Sequence, residues 1–474
     1  MRYAVLRRLA GACAVAAVAT VLPVASAAPA PVAALALAPL PALPAVRGDA
    51  NGGLVAAALA SSDRYFLGTW WAERMSWLEP WASSAQRIAA TGTLDSEQVR
   101  RYSSVALAVA APLATGGYDA GTTGVPAATA TERVVALVRL MVRTHRANVG
   151  TDAGWGGSWQ SALWASQAAL AGWLTGDALA DADRLLLARM LEYEADAVRA
   201  RPMHYLRDRS GKVLTPGNSG GEELAWDALG ELTAVELLPY HDRRAAWAED
   251  AYRRFVASYA RPADVRSTAV VNGRAFGAWL GGSNAEPNGF VVNHGRLNPD
   301  YTVSVSLHGA VVPALAGDGV PQALLVNQDV LYRALASTPF AAPPAKAPGG
   351  TVYVPGNPTL YYPSGPDWGS ARHAVYATED VEAAAFGLDR GLRVPAAAWA
   401  RLRLGAVRAQ QARFRTGQVY GPVSEDRYFA REEWAGVLLA YAHLTQRLHA
   451  LGRLRVDRRP PADAKRPLAP QSPL

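Results

Sequence analysis

The sequence predicts an all-α fold, an (α/α) toroid or barrel of about six helical hairpins with long loops at one rim. Three observations lead to this fold class. Apolar residues recur at helical spacing along most of residues 55–450. Strand patterns are few and short, which excludes a doubly wound sheet, since that fold alternates strands with helices. Most loops between the helical segments are short, so successive helices should pack as antiparallel pairs that can close into a ring.

The helical segments follow one another along the chain, and some are separated by long loops. In order, the predicted helices cover residues 62–90, 96–113, 130–146, 158–174, 180–199, 222–238, 242–259, 302–315, 321–335, 369–386, 396–414 and 432–451. The strand candidates are residues 203–206 with 212–214, and residues 351–354. Long polar loops are predicted at 201–221, 260–301 and 340–370. We expect these loops at one rim of the ring, because binding and catalysis favour loops on a rigid scaffold.

The first residues have the pattern of a signal peptide at positions 1–27. Arginines come first, an apolar run from Leu9 to Val24 follows, and Ala25-Ser26-Ala27 fits a cleavage site. The apolar run is too short and too rich in alanine for a stable membrane span. The pattern therefore predicts a secreted protein without a membrane anchor.

The next segment and the last one are expected to be unstructured. Residues 28–54 are typical of an Ala/Pro-rich spacer, and residues 451–474 of a disordered, basic, Pro-rich tail. These boundaries leave residues 55–450 as a single catalytic domain. Of the net charge of +7, three charges lie in the leader and four in the tail, so the domain is near neutral. A nucleic-acid partner is excluded, because such proteins carry a basic surface on the folded part.

Cysteine and histidine usage predicts no metal site and no cofactor. The one cysteine, Cys13, lies in the leader, so the mature chain has no disulfide and no thiolate ligand. The eight histidines are scattered and show no paired ligand spacing.

A possible nucleophile motif lies in the first long loop. Gly217-Asn-Ser-Gly-Gly221 matches G-x-S-x-G, and a helix follows it. The nucleophile elbow needs a parallel sheet beneath it, and none is predicted. We therefore interpret the motif as a glycine-rich loop that leads into the helix beginning at Glu222.

The densest polar stretch of the chain is the loop at 288–301. Its end, Asn298-Pro-Asp300, is explained by the start of a helix, with an N-cap, a proline at the first position and a carboxylate that complements the helix dipole. A helix start does not require His294 or Tyr301. A histidine and a tyrosine without a serine nucleophile or a metal suit β-elimination on a uronic acid. That reaction needs a base for the C5 proton, an acid for the leaving oxygen and a group that neutralises the carboxylate.

This loop resembles a segment of a known enzyme family. Asn288-Gly-Phe-Val-Val-Asn-His294, followed by Tyr301, is similar to the D-G-S-F-x-Q-H…Y segment of the α/α-toroid polysaccharide lyases that cleave hyaluronan, chondroitin and xanthan. The resemblance implies that His294 is the catalytic base and Tyr301 the acid. Gly217-Asn218 is similar to a G-A-N-type segment of that family, which implies that Asn218 neutralises the carboxylate. The spacing between His294 and Tyr301 is shorter than is usual in those lyases.

The remaining candidates would hold an acidic polysaccharide. Tryptophan and tyrosine are abundant, and each ring can stack on the apolar face of a sugar. Ser158-Trp159-Gln160 loosely echoes the start of a family helix, N-W-W-x-x-E-I-G. Trp159 itself belongs to an apolar stripe that we assign to the core. The predicted substrate-binding residues are Glu222, Glu223, Asn293, Arg296, Trp155, Gln160 and Trp368.

Two other functions fit the same residues. An α/α-barrel glycoside hydrolase would need two carboxylates about 5–10 Å apart, and Glu222 or Glu223 with Asp300 is the best pair. A non-catalytic carbohydrate-binding protein would need only the aromatic lining. Either glutamate could also replace Asn218 in neutralising a uronate.

Overall fold

A computed structural model describes residues 32–44, 49–78, 87–88, 93–150, 154–303 and 305–461. This part of the chain is mostly helical. The α-helices of five or more residues are α1 Ala50–Tyr65, α2 Ser96–Ala114, α3 Ala127–Thr144, α4 Ser161–Leu174, α5 Asp181–Arg199, α6 Gly221–Leu237, α7 Arg244–Ser258, α8 Val305–Gly309, α9 Val311–Ala316, α10 Gln328–Ser337, α11 His373–Phe386, α12 Ala396–Ala412 and α13 Arg431–Ala450.

Strands are short and lie in the loops. They are β1 Arg207–Asp208, β2 Val270–Val271, β3 Arg274–Ala275, β4 Gly282–Ser283, β5 Val292–Asn293, β6 Arg296–Leu297, β7 Val320–Pro321, β8 Pro339–Phe340, β9 Gly350–Thr351 and β10 Val456–Asp457. They pair only two at a time, as β1–β4, β2–β3, β5–β6 and β8–β9 antiparallel and β7–β10 parallel. Within the described residues there is thus no parallel sheet beneath the glycine-rich loop at 217–221.

Local sequence explains where the helices begin and which of them lie inside. Asp95 caps α2 by accepting from the Gln98 backbone N–H at 2.8 Å, and the Gln98 side chain accepts from the Asp95 N–H at 3.1 Å, a reciprocal capping box. Every residue of α4 is buried, and nearly every residue of α6 is too. A helix that is buried on nearly every side lies in the protein interior, so these two helices belong to an inner layer.

The inner helices contact one another in sequence order. α2 packs on α4, α4 on α6, α6 on α8 and α9, α9 on α13, and α13 back on α2. α11 also packs on α13. The other long helices cover these from outside: α3 lies on α2, α5 and α7 on α6, α12 on α11, and α1 on α12 and α13. The long helices thus form an inner and an outer layer.

The predicted helix positions agree well with those of the structure, with three exceptions. The predicted helix at 321–335 is a 3-10 turn, Gln322–Leu325, followed by α10, which begins only at Gln328. The pattern at 62–90 was expected to give one helix, but α1 begins at Ala50 and ends at Tyr65, and helical turns continue to Arg74. The predicted helix at 302–315 is divided into a short helix, Pro299–Thr302, followed by α8 and α9. Residues 79–86, 89–90 and 304 lie outside the described residues.

The described parts of both flanking segments pack on the helices, in contrast to the expectation that they are unstructured. Ala38 is buried; its N–H donates to the Leu237 carbonyl at 2.8 Å, and its carbonyl accepts from the Trp173 indole at 2.7 Å. At the other end, β10 pairs with β7, and Asn272 donates to the Asp457 carbonyl at 3.0 Å. These backbone hydrogen bonds fix segments that composition alone marks as loose.

The proposed leader, residues 1–27, and the last part of the tail, residues 462–474, lie outside the described residues. None of the helices that the structure describes is long and apolar enough to cross a membrane.

Candidate functional site

Loops and helix starts meet around one open cavity, which we call the site cavity. It encloses about 1050 Å³ of empty space, including its open mouth. Eight of the ten predicted site residues line it, namely Asn218, His294, Tyr301, Glu222, Glu223, Asn293, Gln160 and Trp368. It is also lined by side chains that the sequence did not single out, among them Arg100, Val305, His308, Arg372, Tyr428 and Phe429. The two polar loops thus contribute side chains to the same cavity.

Two predicted binding residues do not line the site cavity. Trp155 is a core side chain: it is buried, its indole N–H donates to the Met141 carbonyl at 2.9 Å, and its ring lies against His145. Arg296 follows the hairpin turn in β6, remains partly exposed and does not form part of the cavity wall. The expectation that Trp155 faces the cavity is corrected, because a large aromatic residue before a helix is equally well buried in the core.

A tight hairpin turn presents His294. β5 and β6 are joined by His294 and Gly295, and both have positive φ, +52° and +71°. Two positive φ angles are typical of the turn that matches the twist of a two-residue hairpin. The loop at 215–220 docks on this turn, since Gly295 N–H donates to the Gly217 carbonyl at 2.9 Å. A Cβ at Gly217 would lie 2.9 Å from the Gly295 Cα, so glycine permits this approach, which places Asn218 beside the turn.

His294 has a carboxylate partner that the sequence did not reveal. Its Nδ1 lies 2.6 Å from Asp367 Oδ2, and Asn298 donates to the same oxygen at 3.0 Å. The His294 side chain is 45% exposed, whereas that of Asp367 is 15% exposed. A carboxylate on Nδ1 holds the proton on that nitrogen, so Nε2 is left as the acceptor. This arrangement suits a base that faces an open cavity.

Tyr301 lies next to His294 and keeps its proton. The two rings are in edge contact, with centroids 5.3 Å apart, and Trp368 contacts His294 from another side at 5.7 Å. Burial, with Glu222 as a further cause, raises the pKa of the Tyr301 hydroxyl well above its ordinary value. Tyr301 is therefore a proton donor at neutral pH and is poorly suited to act as the base.

Glu222 is a buried carboxyl group at the start of α6. One oxygen accepts from the Asn293 amide at 2.6 Å, and the other, Oε2, has no hydrogen-bond partner among the described residues. Burial, with a contribution from Glu223, raises the pKa of Glu222 well above its ordinary value. Burial therefore favours the protonated form of this carboxyl group, and in that form it can donate a hydrogen bond to an anion.

Asp300 does not have the role expected from its position at a helix start. Its side chain is 2% exposed and lies 3.2 Å from Arg372. It accepts hydrogen bonds from Tyr376 at 2.8 Å and Tyr362 at 3.1 Å. Burial raises the pKa of Asp300, although Arg372 opposes the rise. The short helix Pro299–Thr302 directs this carboxylate inwards, so it belongs to a buried charge cluster instead of complementing the helix dipole.

The wall that carries Arg100 is aromatic. The Arg100 guanidinium donates to the Gln160 side-chain carbonyl. Four ring centroids lie between 5.5 and 5.9 Å from it, those of Trp159, Trp164, Tyr428 and Phe429. Trp159 was expected to be core, but it is 57% exposed. The reason is that α4 begins only at Ser161, so Trp159 precedes the helix and is not part of its buried face.

Sequence reasoning missed Asp367 and Arg100 for different reasons. Asp367 precedes Trp368 in a predicted rim loop, where an acidic residue beside a candidate could have been noticed. Arg100 lies on a predicted helix, and an arginine on a helix surface is ordinary. Among the described residues there is no group of three or more histidine or carboxylate side chains that could hold a metal ion.

Comparison of the chain with family models, with curated proteins and with solved structures finds no match. The chemistry of the site cavity therefore has to be inferred from its own residues.

Proposed function

We propose that this protein is a secreted polysaccharide lyase that cleaves a uronic-acid-containing polysaccharide by β-elimination. One observation carries the proposal: His294, held by Asp367 on Nδ1, contacts a protonated Tyr301 inside an open cavity. A base and an acid side by side, without an activated nucleophile, suit the removal of a proton and the departure of an oxygen from adjacent carbons.

In the proposed reaction His294 Nε2 takes the proton from C5 of the uronic acid. The electrons of that C–H bond form the C4–C5 double bond, and the bond from C4 to the glycosidic oxygen breaks. Tyr301 gives its hydroxyl proton to the leaving oxygen. Exchange with water then returns a proton to Tyr301 and removes the one on His294. Each positioned proton transfer contributes about 10²–10⁴-fold to the rate.

The carboxylate beside C5 must be neutralised before the C5 proton becomes acidic. The protonated Glu222 and the Asn218 amide are the donors proposed for this role, and both line the cavity that contains His294. Charge that develops in the transition state is stabilised by such donors, and losing one typically costs about 3–4 kcal/mol. Asn293 fixes Glu222 through the hydrogen bond between their side chains.

We also propose that the helical hairpins close into an α/α toroid, with the site cavity at one end of the ring. The contact order of the inner helices, which returns from α13 to α2, supports this arrangement. The leader pattern at 1–27 supports export. An experimental structure tests the ring, and N-terminal sequencing of the protein from culture medium tests the leader.

Product analysis tests the reaction. The protein is incubated with a panel of acidic and neutral polysaccharides, with Tyr301→Phe as the matched control because it removes one hydroxyl. We expect new ultraviolet absorbance from the unsaturated product on a uronic-acid polymer, formed about 10²–10⁴-fold more slowly by the control. A Tyr301→Phe protein as active as the wild type would contradict the lyase mechanism.

A glycoside hydrolase is the second candidate. It is favoured by the two carboxyl groups of Glu222 and Asp300, which both line the site cavity and each have one oxygen without a hydrogen-bond partner among the described residues. Inverting and retaining hydrolases both use such a pair. New reducing ends without ultraviolet absorbance would identify this reaction. Binding without either product would identify a carbohydrate-binding protein.

A further inference from the structure

Two arginines line the site cavity, and they differ in whether they already have an anionic partner. Arg372 lies 3.2 Å from Asp300 and 3.1 Å from Asp426, so two carboxylates of the protein occupy it. Arg100 forms no ion pair with any acidic side chain that the structure describes; its guanidinium donates to the neutral Gln160 side chain. A guanidinium is always charged and matches carboxylate and sulfate geometry, so Arg100 is available for an anionic ligand.

The surroundings of Arg100 hold it in place. The amide of Gln160 and four aromatic rings limit its rotation. A guanidinium that is fixed before binding loses little side-chain entropy when it pairs with an anion. The exposed Trp159 beside it offers a face on which a sugar ring can stack. Glu223 accepts from the Trp159 indole N–H at 3.0 Å, so its carboxylate disfavours an anion beside that edge of the ring.

Arg100 lies apart from the proposed reaction centre. Successive ring contacts lead from His294 to Trp368 at 5.7 Å, from Trp368 to Tyr428 at 5.2 Å, and from Tyr428 to Arg100 at 5.5 Å. Trp368 and Tyr428 thus lie along the cavity wall between the base and the guanidinium. This placement supports the assignment of an anion on Arg100 to a neighbouring sugar of the same polymer.

We infer that Arg100, with Gln160 and Trp159, forms a second anion-binding subsite that takes a carboxylate or sulfate on a sugar next to the cleaved uronate. This inference rests on the proposed function, since it places a polysaccharide in the site cavity. The substrate is accordingly a polymer with more than one negative charge in each segment that the cavity holds. The subsite contributes to binding equally before and during the reaction.

The test measures the affinity of three oligosaccharides by calorimetry in the Tyr301→Phe background, in which turnover by the proposed lyase is slowed. The first is a disaccharide with one uronic acid, the second a tetrasaccharide with two uronic acids and no sulfate, and the third a disaccharide with one uronic acid and one sulfate. We expect the second or the third to bind more tightly than the first. Arg100→Gln should abolish that gain, roughly 10- to 100-fold, because a charge-assisted contact is lost. Tighter binding of the tetrasaccharide would show that the subsite takes a carboxylate. Tighter binding of the sulfated disaccharide would show that it takes a sulfate.

The matched control is Arg401→Gln, which removes an exposed arginine on α12, away from the cavity lining. It should bind all three as the parent does. In the active enzyme, Arg100→Gln should raise KM and leave kcat nearly unchanged. If Arg100→Gln and its parent bind each oligosaccharide with equal affinity, the subsite proposal is wrong. Cleavage by the wild type would still support the lyase in that case. Failure of all three oligosaccharides to bind, together with no cleavage, would overturn both.

Discussion

His294 lies in a hairpin turn at the exposed end of the site cavity, whereas His308 lies in α8 at its buried end. The side chain of His294 is 45% exposed and has Asp367 at 2.6 Å, while that of His308 is 3% exposed and lies 3.6 Å from Glu382. Neither ring nitrogen of His308 has a hydrogen-bond partner among the described residues. Burial lowers the pKa of His308 to about 3.

The difference between the two histidines shows what turns an imidazole into a base. A base must reach its substrate and must have one nitrogen fixed as the acceptor. His294 meets both conditions, because the turn exposes it and Asp367 holds its other nitrogen. His308 meets neither, since it is stacked on Tyr441 at 4.7 Å inside the protein. His308 is therefore a packing residue whose protonation the fold resists.

The largest effect should come from the exposed histidine and its neighbour. His294→Gln and Tyr301→Phe should each lower kcat by about 10²–10⁴-fold, because each removes one positioned proton transfer. The thermal unfolding midpoint should change little, since both groups face the cavity. The change in absorbance with substrate measures kcat, and calorimetry without substrate measures stability. A His308→Gln variant as inactive as His294→Gln, at unchanged stability, would contradict the distinction between the two histidines.

Asp367→Asn should have a smaller effect on the same reaction. An asparagine can keep a hydrogen bond to His294 Nδ1, but it can also present its N–H and favour the other tautomer. We expect kcat to fall roughly 10- to 100-fold with KM nearly unchanged, because only the orientation of the base is lost. Nitrogen chemical shifts of the imidazole should show Nδ1 protonated in the wild type and a mixture in the variant. If Asp367→Asn keeps the wild-type tautomer of His294 but has a lowered kcat, Asp367 has a role other than fixing the tautomer.

Asp300→Asn separates the two candidate reactions. In the proposed lyase it should cost stability, about 1–3 kcal/mol, because buried Arg372 and two tyrosine hydroxyls lose part of an ionic partner, while kcat falls less than tenfold. Asp426 still compensates Arg372. In a hydrolase with Asp300 as one of its two carboxylates, the variant would be inactive. Chemical denaturation and product analysis on one preparation decide between these outcomes.

The sequence predicted the helices well and the site in part. A helix such as α2 can be located from apolar spacing and a capping signal at Asp95, since both are local. His294, Tyr301 and Asn218 were identifiable because a resemblance singled them out. Asp367 and Arg100 were not, because their roles depend on which loops and helices meet in space. No local pattern distinguishes an arginine that faces a cavity from one that faces solvent.

The same limit applies to polar residues that have two adequate explanations. Asn298-Pro-Asp300 fits a helix start, and Asn298 does cap the short helix by accepting from the Asp300 N–H at 3.2 Å. The Asp300 carboxylate nevertheless pairs with Arg372, which lies far away in sequence. Trp155 and Trp159 show the converse. Both precede the same helix, but one is core and the other lines the cavity, and only tertiary packing separates them.

The smallest expected effect concerns His308 and stability at acid pH. Its folded-state pKa of about 3 lies below the ordinary value of 6.5, so the unfolded chain takes up a proton that the native state does not bind. His308 therefore lowers the stability of the native state as the pH falls from 6.5 towards 3, by up to about 1.4 kcal/mol per pH unit.

The test measures the free energy of unfolding by urea titration at pH 6.5 and at pH 5. Between these two pH values it should fall by about 1–2 kcal/mol less in His308→Gln than in the wild type. The exposed His449→Gln is the matched control and should keep the wild-type difference. Glu382, which faces His308, acts in the opposite direction because burial raises its pKa, and it remains in both variants. An unchanged pH dependence in His308→Gln would mean that His308 has the same pKa in the native and unfolded states, and the contrast with His294 would then rest on exposure alone.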